Sequence, residues 1–175
     1  MTKNSIIQKL QINHNEFIEQ VFLLSENDFN LSVNNKWTAG QHFEHIYLSV
    51  SPVKKAMTLP VFFLKLFFGK ANRPSKDYDS LVKKYQDKLE KGGVAPGRFV
   101  PKQITFEQKE QLKRKLLITV EQLCKTVDRY NESKLDDYIL PHPLLGKITI
   151  REMLYFTIYH VEHHKKLILQ STGKM

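Results

Sequence analysis

Residues 149–171 read TIREMLYFTIYHVEHHKKLILQS and carry the clearest helical pattern of the chain. Thr149 followed by Glu152 is a capping box, in which each side chain accepts a hydrogen bond from a free backbone amide of the first helical turn. Apolar residues then recur at three- and four-residue steps. The pattern predicts a helix from about 150 to 171 that is stopped by Gly173.

Three further segments show helical periodicity. Apolar residues at three- and four-residue steps predict a helix over 5–24, and capping boxes that begin at Thr38 and Thr105 predict helices over 38–57 and 105–131. Four amphipathic helices of this length pack most simply around one shared core. We therefore predict an all-α fold, a four-helix bundle with a long crossover connection.

The crossover connection is predicted over residues 58–103, which are rich in proline, glycine and paired phenylalanines. A short amphipathic helix is expected within it, near 78–89. The length of 175 residues suits one hydrophobic core. We expect residues 1–175 to form a single domain.

Composition excludes several classes of protein. Only 7 glycines and 7 prolines are present, which disfavours an all-β fold with many turns. The single cysteine, Cys124, can form neither an internal disulfide nor a cysteine-based zinc site. The most apolar stretch, 57–68, contains Pro60 and Lys65 and is shorter than the ~20 residues that a membrane span needs. With no export signal recognised, we predict a cytoplasmic protein.

Histidines are concentrated in the last predicted helix. At about 100° per residue, His160 and His164 lie about 40° apart on its apolar side, whereas His163 lies about 100° from His164. On the second long helix, His45 lies at the edge of the apolar face. Two histidines four residues apart, joined by a third from another helix, suit a first-row divalent metal. Most such pairs are ordinary surface or core histidines, so the spacing alone leaves both interpretations open.

The sequence around these histidines differs from the HExxH motif of zinc proteases. In HVEHH, residues 160–164, Glu162 lies about 200° around the helix from His160. The carboxylate therefore points away from the histidine pair. We do not expect it to act as a general base there.

Two segments together resemble the DinB-like superfamily: WTAGQHFEH, residues 37–45, and HPLLGKITIRE, residues 142–152, followed by the histidines at 160 and 164. Members of this superfamily are four-helix bundles in which one histidine of helix two and two of the last helix bind a divalent metal. The resemblance implies the metal ligands His45, His160 and His164. Gln41 stands where related sequences commonly have an acidic residue, so it departs from the pattern.

The resemblance also implies a range of activities. Some members are metal-dependent transferases of low-molecular-weight thiols, and one branch isomerises maleylpyruvate with a thiol cofactor. A small-molecule thiol transferase or a hydrolase, with a divalent metal such as Ni or Zn and a low-molecular-weight thiol as cofactors, is the leading interpretation. The alternative is a non-catalytic stress-related or interaction protein whose metal is structural or absent. The sequence does not separate them.

Several neighbouring residues receive simpler interpretations. Trp37 is predicted to fill the core outside the site, and Cys124 to be a small buried hydrophobe. His42 and His163 are candidates for a catalytic acid, a catalytic base or a hydrogen-bond partner of the ligands. The alternative is that they are solvated or hydrogen-bonded side chains without a role in the site. Four phenylalanines are expected to cover one end of the core, with a lipid or dimer surface as the alternative. These are Phe62, Phe63, Phe67 and Phe68.

The formal net charge of +9 is unevenly distributed. Residues 54–115 hold 16 Lys and Arg against 6 Asp and Glu, whereas the rest of the chain holds 11 against 12. Because acids interrupt this region and no recognition motif is present, we predict that the protein binds no nucleic acid. We also predict that it has no membrane partner. The basic region is either a solvated face or a lid whose positive potential steers an anionic thiol or substrate. A homodimer is compatible with the sequence.

Overall fold

A computed structural model describes residues 1–173. Its helices are α1 (Lys3–Phe22), α2 (Glu26–Asn30), α3 (Ala39–Met57), α4 (Val61–Phe67), α5 (Tyr78–Glu90), α6 (Lys109–Arg129), α7 (Lys134–Asp137) and α8 (Ile150–Thr172). Two 3-10 turns, Gly97–Phe99 and Phe106–Gln108, lie between α5 and α6. One hairpin, of strands β1 (Ile139–His142) and β2 (Gly146–Thr149), precedes α8. The prediction of an all-α fold is confirmed.

The four long helices α1, α3, α6 and α8 enclose the core. Both α1 and α3 pack chiefly on α6 and α8, so they lie diagonally across the bundle. Large apolar side chains from all four helices are fully buried between them, among them Phe17, Phe43, Leu123 and Ile158. This arrangement places the first half of α3 beside the second half of α8.

Local sequence explains where the long helices begin. The capping boxes at Thr38 and Thr149 are formed and open α3 and α8 directly. The box at Thr105 is also formed, but it caps a 3-10 turn, and α6 begins only at Lys109. At the other end of α8, Gly173 adopts φ 65°, a left-handed conformation that glycine tolerates without strain.

Pro141 and Pro143 favour a loop before α8, but the structure forms a hairpin there. Ile139 pairs with Thr149 and His142 with Gly146 in an antiparallel register. The ring nitrogen Nδ1 of His142 accepts hydrogen bonds from the amides of Leu144 and Leu145, each at 3.1 Å. The side chain of His142 therefore closes the turn, and the hairpin delivers the chain to the start of α8.

A buried carboxylate ties the crossover segment to the start of α8. Glu152 is fully buried and accepts two hydrogen bonds from the Arg73 guanidinium, at 2.7 and 2.8 Å. It also accepts hydrogen bonds from the backbone amides of Lys76 and Thr149, each at 2.8 Å. Burial by itself would raise the pKa of Glu152, but these hydrogen bonds outweigh it and hold the pKa below the usual value.

The prediction that four phenylalanines cover the core is wrong for most of them. Leu64 is the only fully buried residue of α4, whereas Phe62, Phe63 and Phe67 are exposed and Phe68 is half-buried. Only Leu64 of α4 faces the bundle, and the phenylalanines lie outside the core. None of the helices in residues 1–173 is long and apolar enough to cross a membrane.

Candidate metal centre

Three buried imidazoles meet between α3 and α8. The Nε2 atom of His160 lies 3.2 Å from Nε2 of His45 and 3.1 Å from Nε2 of His164. The rings are only 4–5% exposed. The structure thus brings together the three residues that the resemblance implies as ligands. Among the described residues, they form the group of three or more His, Cys, Asp or Glu side chains that could hold a metal ion.

The orientation of His45 is fixed by the crossover segment. Its Nδ1 lies 2.7 Å from the backbone carbonyl of Phe99, in the 3-10 turn before α6. A carbonyl only accepts, so Nδ1 carries the proton and Nε2 presents a lone pair. This is the tautomer that a metal ligand requires. No sequence pattern indicates this role for Phe99, because a backbone carbonyl leaves no mark on the choice of side chain.

A fourth histidine stands behind His164. Nδ1 of His42 lies 2.7 Å from Nδ1 of His164, and both rings are buried. When His164 donates to His42, the Nε2 lone pair of His164 is left free for a metal. Of the roles considered for His42, the structure favours that of a partner to a ligand. His42 and His45 are three residues apart on α3, a spacing that places them on adjoining positions of one face.

The environment keeps these imidazoles neutral. Burial, followed by the nearby His45 and His163, holds the pKa of His160 well below its usual value. Burial, followed by His160 and His42, does the same for His164. At His45, burial outweighs the hydrogen bond to Phe99 and lowers the pKa. Neutral imidazoles have the lone pairs that bind metal ions.

The spacing of the nitrogens fits a divalent ion. Ligand nitrogens ~2.0–2.1 Å from a tetrahedral Zn²⁺ lie about 3.3 Å from each other. The two measured separations, 3.2 and 3.1 Å, are close to this value. Three neutral donors also leave the charge of a divalent ion uncompensated and at least one coordination position open. The donor set therefore suits a divalent metal, and His45, His160 and His164 would hold it.

Trp37 was predicted to fill the core outside the site, and this prediction is wrong. The indole is half-buried and lies against the histidines, with its ring centroid 4.9 Å from that of His45. It also stacks on His164 at 6.2 Å with an interplanar angle of 16°. Because Trp37 directly precedes the N-cap of α3, it reaches over the first turn to the cluster. Trp37 therefore forms one wall of the site.

Aromatic side chains from α5 and α8 form a second wall, against His160. Phe156, one turn before His160 on α8, stacks on its ring with centroids 4.6 Å apart. Tyr85 from α5 packs against both, at 5.0 Å from Phe156 and 6.1 Å from His160. The short helix predicted near 78–89 is confirmed, and its function in the fold is to cover this face of α8.

Other candidates lie at the edge of the site or outside it. His163 stacks on Tyr159 at 6.1 Å and is not one of the three clustered ligands. Glu162 accepts a hydrogen bond from the Asn13 amide at 2.8 Å, which confirms that it points away from the histidine pair. Cys124 is buried on α6, and burial raises the pKa of its thiol to about 11.

Two surface recesses, of about 300 and 240 Å³, lie away from the histidines. Lys70, Arg73 and Lys147 are among the residues that line the larger one, and Glu44, Lys102 and Gln108 are among those that line the other. Neither recess contains a buried polar group without a partner. The chemistry of the three histidines, rather than the size of a cavity, therefore identifies the candidate site.

The fold and the site together define a class of protein: helical bundles with a three-histidine cluster between the second and the last long helix. The family model described as the DinB superfamily matches residues 10–168. The chain therefore belongs to the DinB superfamily. A search of curated proteins and a search of solved structures each returned no match.

Proposed function

We propose that this protein binds one divalent metal ion through His45, His160 and His164 and transfers a low-molecular-weight thiol to an electrophilic small molecule. The observation that carries the proposal is the convergence of three neutral imidazoles: Nε2 of His160 lies 3.2 Å from Nε2 of His45 and 3.1 Å from Nε2 of His164, and the three possible ligand atoms all lie within 4.8 Å of one another. When bound, a divalent ion supplies a positive charge that lowers the pKa of a coordinated thiol or water.

The thiol must come from outside the chain. Cys124, the only cysteine, is buried and has a pKa raised to about 11, so its thiolate is scarcely populated at neutral pH. In the proposed reaction, the thiol of the co-substrate releases its proton to solvent water, and its sulfur forms a bond to an electrophilic carbon. The leaving group departs from that carbon with the electron pair of the broken bond.

The residues around the cluster have separate parts in this proposal. Phe99 and His42 fix the tautomers of His45 and His164. Trp37 and Phe156 supply apolar walls that exclude water from the reacting sulfur. Exposed Arg98, next to Phe99, contributes positive potential near the site and favours anionic substrates.

Thiol transfer is favoured over hydrolysis by the composition of the site. In the described chain, no carboxylate joins the three imidazoles in a ligating cluster, and Glu162 is held by Asn13. A metal-dependent hydrolase commonly pairs its metal-bound water with such a carboxylate. The hydrophobic walls suit a polarisable sulfur better than they suit a hydroxide.

The proposal is tested by incubating the metal-loaded protein with a panel of low-molecular-weight thiols and the fluorogenic electrophile monochlorobimane. We expect metal-dependent adduct formation that is lost on chelation and in the His160→Ala/His164→Ala variant. If ester or amide substrates are hydrolysed and no thiol adduct forms, the hydrolase interpretation replaces this one.

The second candidate is a non-catalytic protein with a structural metal. It is favoured by the low exposure of the three rings and by their position between α3 and α8, where an ion would link two helices. A structural ion should raise the unfolding temperature strongly while no thiol or ester substrate is turned over.

A further inference from the structure

The short helix α4 exposes apolar side chains that no other element of the described chain covers. Phe62, Leu66 and Phe67 are 68%, 64% and 63% exposed, and Phe63 is also exposed. Leu59 and Val61 extend the same surface. We call these six residues the α4 patch. Scattered apolar residues are common on protein surfaces, but a contiguous group of this kind marks an interaction site.

The α4 patch is held rigidly on the bundle. Leu64 is fully buried and anchors α4 to the core. The hydroxyl of Tyr130, the residue that caps the C-terminal end of α6, donates to the Met57 carbonyl at 3.1 Å and fixes the chain just before the patch. The exposed side chains are therefore presented in a preformed arrangement, and binding a partner would not require the segment to fold.

Lysines precede, interrupt and follow the α4 patch along the chain. Lys54 and Lys55 end α3, Lys65 lies within α4, and Lys70 follows it. No Asp or Glu occurs between residues 45 and 76. Across residues 1–173, none of these four lysines forms an ion pair with a carboxylate. Their charge is available to a partner.

Acids on the adjoining element are already neutralised. The backbone of Lys70 forms an isolated β-bridge with the backbone of Tyr138, which directly follows α7, so the two acids of α7 are near this region. Asp137 pairs with Lys134 at 3.0 Å, and Asp136 pairs with Arg151 at 2.8 Å. Their pairing leaves the positive rim of the α4 patch uncompensated.

We propose that the α4 patch is a docking surface for anionic lipid bilayers, which replaces the expectation from the sequence that the protein has no membrane partner. Peripheral membrane helices combine Phe and Leu on the inserted side with Lys and Arg that contact lipid headgroups. The α4 patch combines the same groups: its phenylalanines and Leu66 insert at the headgroup level, and Lys54, Lys55, Lys65 and Lys70 contact the anionic headgroups. Binding of this kind is reversible and weakens with salt.

A second copy of this chain fits the α4 patch less well. A two-fold axis through the patch would bring the same lysines together from both protomers, with no acid in the segment to offset them. Six exposed apolar side chains are also few beside the ~20–30 residues that each side of a standard protein interface contributes. Charge and size both favour the bilayer.

Docking would leave the three-histidine cluster accessible. Met57, at the patch end of α3, lies 12 residues after His45, which corresponds to about 18 Å along a helix. The patch and the cluster are therefore at different levels of the bundle. The proposal stands independently of the metal centre and of its chemistry.

The test is sedimentation of the full-length protein with vesicles of phosphatidylglycerol and phosphatidylcholine, compared with vesicles of phosphatidylcholine alone, at low and high salt. We expect binding to the anionic vesicles only, and weaker binding at high salt. The Phe62→Ser/Leu66→Ser/Phe67→Ser variant should lose at least about tenfold in partitioning, and so should Lys55→Glu/Lys65→Glu/Lys70→Glu.

Matched controls separate this surface from general effects. Ile12→Ser/Leu23→Ser/Ile118→Ser removes three other exposed apolar side chains, and Lys9→Glu/Lys91→Glu/Arg129→Glu makes the same change of net charge elsewhere. Both controls should bind like the wild type. Absence of vesicle binding at low salt, equal binding to neutral vesicles, or equal losses in the controls would each overturn the proposal. So would a dimer in sedimentation velocity that the triple serine variant splits, without any binding to vesicles.

Discussion

His42 and His164 face each other through the same ring atom, with their Nδ1 nitrogens 2.7 Å apart. Only one proton fits between two such nitrogens, so one ring donates and the other accepts. Burial, followed by His45 and His163, lowers the pKa of His42 to about 3, so His42 is neutral. A neutral His42 that accepts from His164 leaves the Nε2 of His164 free.

The first prediction concerns this contact. His42→Phe keeps an aromatic ring but removes the acceptor, so His164 loses the partner that fixes its tautomer. We expect the affinity for Zn²⁺ or Ni²⁺ to fall roughly 10–100-fold, the usual effect of removing such a partner. Isothermal titration calorimetry measures it. His163→Gln, at a ring that is not one of the three clustered ligands, should leave the affinity nearly unchanged, and equal losses in the two variants would contradict the role of His42.

Trp37 provides a direct optical report of the site. It is the only tryptophan of the chain and stacks on His164. A paramagnetic ion such as Ni²⁺ at the cluster should therefore quench its emission, and the quenching should saturate at one equivalent. Zn²⁺ should compete with it. Undiminished quenching in His160→Ala/His164→Ala would mean that the ion binds somewhere else.

The third prediction concerns pH and His14. This residue is fully buried on α1, where Nδ1 donates to the Leu10 carbonyl at 2.7 Å and Nε2 has no partner among the described residues. Burial lowers the pKa of His14 to about 4 although the Leu10 bond opposes it. The unfolded chain therefore binds a proton below its pKa near 6.5 while the folded chain does not, and stability is lost as the pH falls from 6.5 toward 4.

Between pH 7 and pH 5, His14 should account for a loss of about 2 kcal/mol in the free energy of unfolding. Urea denaturation of metal-free protein at the two pH values measures it. His14→Asn keeps a donor for the Leu10 carbonyl and does not titrate, so the variant should lose about 2 kcal/mol less than the wild type. The same pH dependence in both proteins would show that His14 is protonated in the folded state.

The buried ion pair between Arg73 and Glu152 gives the fourth prediction. Glu152→Gln leaves the Arg73 guanidinium without its carboxylate and weakens the capping box of α8. We expect a loss of about 3 kcal/mol, the lower end of the range for breaking a buried pair, because Arg73 is partly exposed. Glu121→Gln, in an exposed pair with Lys125 of similar length, should cost less than about 1 kcal/mol. Equal effects in urea denaturation would refute the structural role of Glu152.

The sequence predicted those features that depend on local periodicity. The long helices follow from apolar spacing and capping boxes. The ligand set His45, His160 and His164 is instead what the resemblance to the DinB-like superfamily implied, because the spacing of the histidines alone left a metal site and ordinary core histidines both open. Trp37 was misplaced because nothing local distinguishes an aromatic residue in the core from one that lines a site. The hairpin before α8 was missed because its pairing is supported by a turn that His142 closes through its side chain.

The features that the sequence did not predict depend on contacts between residues far apart in the chain. Phe99 and His45 meet across 54 residues, and Arg73 and Glu152 across 79. Both contacts join the crossover segment to the bundle, and neither leaves a pattern in either partner's neighbourhood. The exposure of α4 is likewise a tertiary result, since a run of phenylalanines usually indicates burial.

The metal content of the protein, purified without a histidine tag, tests the central claim most directly. Elemental analysis of the wild type should find about one divalent ion per chain, and His160→Ala/His164→Ala should retain roughly a tenth of it or less. Circular dichroism on the same samples checks that the variant is folded. The same substoichiometric metal content in wild type and variant would contradict the three-histidine centre.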